Sequence, residues 1–459
     1  MVGPGGRDGR RPLRRVSAAS HAPAQLTYRR PGPRASRGII LPTDHETSPQ
    51  KLLSYPSAPD RGRTTAPQVV ISGLGAVSCL GGSVDELWKG LLRADARPAA
   101  APDDCGLPQQ APVYRVLDGA GSAADDGEAA GAGQGGLPGR ASGLAIRAVG
   151  EALSDAGLPD GLRAETGVVA GTTLGDLDMA ESGTDYPGDG SSSSFRVAAA
   201  VAREHGLGGP NLSLSTACSA GVYAITEAAD LIRDGEAEVV VACGADVYSR
   251  VALVSLVRFG LLDPELCRPF DTARQGMVTG EGAAAVVIES AEHARRRGAT
   301  VLAVLEGAGW SCDAHHPTAP EPGGQQLLRA MSAALDEASG PPGAVILHRA
   351  GIAVNDKVES AAVAAALGAS AADVPAYGIK GVIGHTAGAA GLFGAVAAVL
   401  MLGHGMVPPN PHVSTVDPEF PLRVPVPADG PERLAEPRVL VCGTGFGGNN
   451  AAVVLGAAS

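Results

Sequence analysis

Apolar positions follow two rhythms along this chain. Short runs that are apolar throughout and end on Gly, Pro or Asn predict strands, and apolar residues three or four apart predict helices. "QVVISGLGAVS" (68–78) is such a strand. "SVDELWKGLL" (83–92) follows as a helix, with Ser83 as N-cap and Glu86 in capping-box register. "ASGLAIRAVGEALSDAGL" (141–158) and "SSSSFRVAAAVAREHGL" (191–207) read as helices, with "TGVVAGTT" (166–173) as a strand between them. Next comes strand "NLSLS" (211–215), a turn of small residues around Cys218, and a helix in which Val222, Ile225, Ala229 and Ile232 recur at helical spacing. The fully apolar strand "AEVVVACGAD" (237–246) closes that unit.

A second half has a comparable rhythm. "GAVILHRAG" (343–351) is a strand running into a loop, and "DKVESAAVAAALG" (356–368) is a helix. "PAYGIKGVIGHTAG" (375–388) leads into an apolar helix from Ala387, and "PRVLVCGTGFGGNNAAVVLG" (437–456) reads as two strands joined by a Gly-rich turn. Each half has a small-residue turn opening a buried helix, with Cys218 in one turn and His385 in the other. The pattern predicts an internal duplication of one α/β unit.

Composition bounds the partners. The chain has 459 residues, 3% aromatic, with 64 Gly, so its packing relies on close backbone approach. Residues 1–66 hold 12 Lys+Arg against 4 Asp+Glu, and the remainder 24 against 44. The leader 1–66 is expected to be a disordered, basic, Arg- and Pro-rich segment. It shows neither an amphipathic period nor a secretory apolar core. The acidic remainder argues against nucleic acid as a partner. The run "AGAAGLFGAVAAVLMLG" (387–403) is long enough to compare with a membrane span but is Ala- and Gly-rich; it reads as a core helix, and no membrane association is expected. Seven scattered cysteines with no CxxC pair argue against a disulfide framework or a zinc site, and the expected compartment is the reducing cytoplasm. No metal is expected, since His315 and His316 are adjacent on a Pro-rich loop. No dinucleotide cofactor is expected either, since "GTGFGG" (443–448) runs into a strand where that fingerprint needs a helix.

The candidate chemistry is a thiol with two imidazoles. Cys218 sits at a turn before a helix, where unpaired N–H groups favour thiolate and could stabilise an oxyanion. By position alone the commoner reading of such a cysteine is a small buried hydrophobe. His348 ends the apolar strand "AVIL", and His385 opens a buried helix. Three such groups at the ends of core elements form a possible thiol–imidazole site, which Lys380, Asp356 and Glu359 could orient or charge-balance.

"STACSAG" (215–221) resembles the nucleophile turn of the β-ketoacyl synthases, the elongating condensing enzymes of fatty-acid and polyketide assembly. "CRPFDTARQGMVTGEGAAAVVIE" (267–289), "DAHHPTAPEP" (313–322), "KGVIGHTAGAAG" (380–391) and "GFGGNNA" (445–451) are similar to further motifs of that family, in order. The resemblance covers roughly 67–457. It implies a thiolase-like α/β fold of two similar layered halves with mixed sheets around buried helices, here 67–310 with the nucleophile and 311–459 with both histidines. It further implies that Cys218 takes an acyl group from an acyl carrier protein, and that His348 and His385 assist decarboxylation of a malonyl thioester. Lys380 and Glu359 would support the histidines, the N–H groups of Cys218 and Phe446 would form an oxyanion hole, and Phe446 would gate the thiol. No cofactor is implied beyond the carrier's phosphopantetheine, and the implied assembly is a homodimer or a heterodimer with a related subunit.

The chain departs from the family at "HRAGI" (348–352), where His-Gly-Thr-Gly-Thr is usual. Ala350 and Ile352 replace hydroxyls that help hold the pantetheine arm, and Arg349 is expected to add bulk and charge beside the site. Thr444 stands where an aromatic is common. These departures keep two alternatives in view: a non-decarboxylating acyltransferase using the same cysteine, and a non-catalytic chain-length partner subunit.

Overall fold

The computed structural model describes residues 67–104, 106–107, 111–117, 139–182 and 194–458. The leader 1–66, Cys105 and most of the Gly- and Asp-rich stretch before 139 lie outside the described residues. The described part belongs to one unit, Arg63–Ser459.

Ten strands make a continuous ladder. The first half supplies β1 (Val69–Val77), β2 (Gly167–Gly171), β3 (Asn211–Leu214), β4 (Val239–Asp246) and β5 (Gly282–Ser290). The second supplies β6 (Ala303–Cys312), β7 (Ala344–Ile346), β8 (Ala376–Tyr377), β9 (Arg438–Gly445) and β10 (Asn449–Ala457). In space the first half runs β1-β5-β4-β2-β3 and the second β6-β10-β9-β7-β8. The pairings match strand for strand. The first strand of each half is antiparallel to its last, the last is antiparallel to the fourth, and the inner strands are parallel. The halves join where β1 meets β6, through the pairs Val69↔Leu305, Val70↔Val304 and Ile71↔Ala303. The duplication expected from the two rhythms is present in the backbone.

Among the described residues, eight longer helices layer the ladder: α1 (Val84–Arg93), α2 (Arg140–Asp155), α3 (Phe195–His205), α4 (Ala220–Arg233), α5 (Arg250–Phe259), α6 (Gln325–Glu337), α7 (Ala353–Leu367) and α8 (Ala390–His404). Strand alternation sorts them. Val240 and Ala242 of β4, with Val439 and Val441 of β9, pack in one central core with α4 and α8. Val241 and Cys243 face α2 and α3, while Leu440 and Cys442 face α6 and α7. Five layers result, helix–sheet–helix–sheet–helix, as expected for the thiolase-like class. The apolar run opening at Ala387 is the centre of this stack and is mostly buried.

The division between halves differs from the expected 310/311. Residue 310 lies inside β6, which pairs with β10 along its length. The switch between halves falls instead in the part-exposed link 298–302, after the short helix Ala291–Arg297.

Candidate active site

Two equivalent turns build the site. After β3, the chain passes through a single 3-10 turn, Ala217–Ser219, into α4. After β8 and the short helix Lys380–Ile383, it passes through a second 3-10 turn, Ala387–Ala389, into α8. Both turns start on an alanine in the left-handed region, Ala217 at φ 53° and Ala387 at φ 45°. Such backbone is strained for a residue with a Cβ and persists where surrounding packing over-determines it. The packing here is glycine against glycine: a Cβ on Gly221 would lie 2.8 Å from the Gly388 carbonyl oxygen. The first turns of the two central helices therefore meet, and Cys218 of one half comes beside His385 of the other.

Asp246, at the end of β4, fastens this junction. Its buried carboxylate accepts the Thr172 hydroxyl at 2.9 Å, the Thr173 and Leu174 N–H groups at 2.9 and 2.8 Å, and the Gly388 N–H at 2.6 Å. Burial outweighs these bonds and pushes its carboxyl up to about 6, so it is ionised at neutral pH.

His348 and His385 stand edge to face, with ring centroids 5.3 Å apart. Both are buried, and both are held well below the usual histidine value, by desolvation first and by the Lys380 charge next. They are neutral imidazoles at physiological pH. His348 Nδ1 faces the Thr444 N–H at 3.4 Å, which leaves its own proton on Nε2. Glu359 sets the backbone behind the ring, accepting the His348 N–H at 2.7 Å and the Arg349 N–H at 2.9 Å. The Lys380 ammonium donates to the His348 carbonyl oxygen. Burial lowers Lys380 from its ordinary value, and the Glu359 charge pulls it back.

Cys218 is half-buried and carries a free thiol. The expected thiolate does not form in the resting chain: burial pushes the thiol up to about 11, against the pull of Lys380. Desolvation of the sulfur exceeds what the turn and one buried cation supply.

Cys218, His348, His385 and Phe446 line one cavity of about 350 Å³, within the size range of small-molecule pockets. A Cβ on Gly445 would lie 3.2 Å from the Cys218 nitrogen, so the backbone leading to Phe446 lies against the nucleophile turn. Phe446 is anchored from behind: Gly447 donates to the Pro317 carbonyl at 2.7 Å, and Asn450 donates to Asp313 at 2.7 Å. Asp313, Thr318 and Pro320 of the "DAHHPTAPEP" segment border a smaller cavity that also touches His348 and Phe446.

Two expectations need correction. Arg349 lines neither cavity. It is 1% exposed and turns away between Phe270 and Phe420, 5.0 and 4.4 Å from their centroids. Its guanidinium donates to the Asp356 carbonyl at 2.9 Å and the Ser360 hydroxyl at 2.6 Å. Asp356 likewise balances arginines, not histidines: its carboxylate lies 3.1 Å from Arg274 and 3.7 Å from Arg349. Ala350 and Ile352, in contrast, do face the main cavity. Sequence reasoning missed Asp246 altogether, although a lone acid ending the apolar run "VVVACGAD" is a readable signal.

Two family models match the chain: "Beta-ketoacyl synthase, N-terminal domain" over residues 66–294 and "Beta-ketoacyl synthase, C-terminal domain" over 302–414. Among similar proteins, a putative polyketide beta-ketoacyl synthase 1 of Streptomyces cyaneus is 39% identical, over 56% of this chain and 63% of its own length. The tetracenomycin polyketide synthase ketoacyl synthase alpha subunit of Streptomyces glaucescens is 36% identical, over 69% of this chain and 80% of its own. Among solved structures, the ishigamide ketosynthase/chain length factor superposes with a TM-score of 0.75 and 32% identity, covering 86% of this chain and 100% of that one. A type II acyl-carrier protein in complex with its ketosynthase bound to the hexaketide matches with a TM-score of 0.73 and 25% identity, again over 86% and 100%.

Proposed function

The chain belongs to the β-ketoacyl synthase family, and from that premise we propose that it is an acyltransferase of polyketide assembly that condenses a Cys218-bound acyl group with a malonyl-carrier thioester. In the first step the Cys218 sulfur adds to the acyl thioester carbon. The carrier's thiol leaves with the proton the cysteine gives up. In the second, the malonyl carboxylate departs as carbon dioxide, and its electron pair forms the enolate of the carrier thioester. The α-carbon then attacks the acyl carbon and expels the Cys218 sulfur. Two neutral imidazoles on one cavity with the thiol carry this reading. A neutral imidazole's Nε2–H stabilises the enolate by hydrogen-bonding its oxygen as the negative charge develops.

The N–H groups of Cys218 and Phe446 would hold the oxyanion of each tetrahedral intermediate, with Phe446 gating the thiol. Lys380 and Glu359 hold the histidine frame. No cofactor beyond the carrier's phosphopantetheine enters this chemistry, and a nucleophilic thiol suits a reducing cytoplasm. The carrier protein is a required partner; the complex of a similar ketosynthase with its carrier supports this. A homodimer, or a pair with a related subunit, is the proposed assembly. The half-exposed edge strand β3 and the similarity to a ketosynthase/chain length factor structure support it.

The test loads the chain with an acyl-carrier thioester, adds malonyl-carrier protein and measures carbon dioxide together with the intact mass of the protein. Acylation at Cys218 followed by stoichiometric carbon dioxide is expected, and Cys218→Ala should abolish acylation. Acylation without carbon dioxide would overturn the condensation and favour acyl transfer to another acceptor. Pathway product unchanged in Cys218→Ala but lost on deletion of the chain would make it a non-catalytic partner.

A further inference from the structure

The polar groups of the main cavity are unevenly placed. Most of those on its wall are already engaged. Asp246 accepts from four groups, the Tyr248 hydroxyl donates to Asp104 at 2.6 Å, and the Ser255 hydroxyl donates to the Val251 carbonyl at 2.7 Å. Ser249 is bound to Glu181 and to the Ala252 N–H. Two wall hydroxyls are buried with no hydrogen-bond partner among the described residues, Thr173 and Thr279. Both belong to the catalytic end. Thr279 bridges to His385, and Thr173 donates its N–H to the Asp246 carboxylate that also holds Gly388, next to Ala387. Asn355 and Thr444 also border the smaller cavity beside His348, on the same side. The rest of the wall comes from α5 and from Val113, Leu174, Leu177 and Met277, which offer hydrocarbon.

We infer that the chain carried on Cys218 is a reduced hydrocarbon, alkyl or enoyl, and not a poly-β-ketone. The inference rests on the condensation reading above. A poly-β-ketone presents a carbonyl at every second carbon. Each one buried without a donor loses roughly five- to a hundredfold in affinity. Among the described residues, the imidazoles of His348 and His385 remain as donors for a carbonyl close to the thioester, and no free hydroxyl lines the α5 wall.

A place in a reaction sequence follows. Every condensation leaves a ketone at the third carbon of the product. For that product to return as hydrocarbon, a separate reductase must deliver a hydride from a reduced nicotinamide to the ketone carbon, and a proton to its oxygen. Loss of water then gives the 2-enoyl thioester, and a second hydride and proton from a reduced nicotinamide are needed where the chain returns as alkyl. Ketone reduction and dehydration of the carrier-bound product are the classes of reaction that stand between successive rounds.

A ketone scan on the full-length chain tests this. Octanoyl-, 2-octenoyl-, 3-oxooctanoyl-, 5-oxooctanoyl- and 7-oxooctanoyl-carrier thioesters are compared for the rate of Cys218 acylation by intact mass. Octanoyl and 2-octenoyl should load fastest, 3-oxooctanoyl within a few-fold of them, and the 5- and 7-oxo chains about tenfold slower or worse. Equal loading of the 5- and 7-oxo chains would overturn the inference. Loading in the expected order with no carbon dioxide on adding malonyl-carrier protein would uphold the chain preference while rejecting condensation. Failure of every chain to load would reject both.

Discussion

Cys218 enters the reaction as a thiol. With the group pushed up to about 11, alkylation by iodoacetamide should rise about tenfold per pH unit across roughly pH 7 to 10, with no plateau below that range. Lys380→Met removes the cation that pulls this value down, so labelling at fixed pH should slow. Asp246 gives a second pH signature. Burial raises its carboxyl from 3.8 to about 6, so the folded chain holds a proton that the unfolded chain releases. Its contribution to stability is present below its ordinary value and is lost as the pH rises to about 6, by up to about 3 kcal/mol. Denaturant titrations between those limits should show the slope, and Asp246→Asn should lack it. At this scale the sequence exposed the reacting groups because His348 ends an apolar run and Cys218 and His385 sit in small-residue turns that open apolar helices, which is visible locally. It hid the direction of Arg349, because that side chain is turned by Phe270 and Phe420, far away in the chain. It also hid the balance at the sulfur, because desolvation is a property of the packed interior.

The helices carry the next level of argument. α8 has glycines with opposite meanings. A Cβ on Gly391 would lie 2.6 Å from the Val222 nitrogen, against the backbone of α4. A Cβ on Gly403 would meet nothing within 4 Å. Gly391→Ala should therefore cost about 1–3 kcal/mol and loosen the Cys218–His385 junction. Gly403→Ala should gain ~0.5–1 kcal/mol, since alanine restricts the unfolded helix segment more. Urea midpoints of the two variants decide the matter; equal shifts would show that the α4–α8 contact is not tight. Helical spacing found α4 and an unbroken apolar run found α8, and capping chemistry placed Ser83 correctly at the start of α1, where it accepts the Glu86 N–H. None of these signals could reveal which glycines touch, because the partner backbone comes from the other half.

Across the whole molecule, the repeated order of strands explains why two weakly similar sequence halves read with one rhythm. The division between them was misplaced because β6 is buried only at alternate positions and its last residues, Trp310 to Cys312, are not buried, so the strand's end does not stand out in the sequence. β3 lies at one end of the ladder with a half-exposed face. An unpaired edge of this kind is a template for another chain. Leu212→Lys should shift the proposed dimer toward monomer in sedimentation, with acylation chemistry lost more slowly than association.

The part-exposed link between the halves has a use of its own. A nick there would place the thiol on one polypeptide and both imidazoles, with Phe446, on the other. Neither fragment would hold a complete set of reacting groups. The apolar faces of α4 and α8 and the Asp246–Gly388 bond would be the forces that reunite them. Condensation activity in a mixture of the two fragments would then be a direct gauge of how strongly one half of the molecule recognises the other.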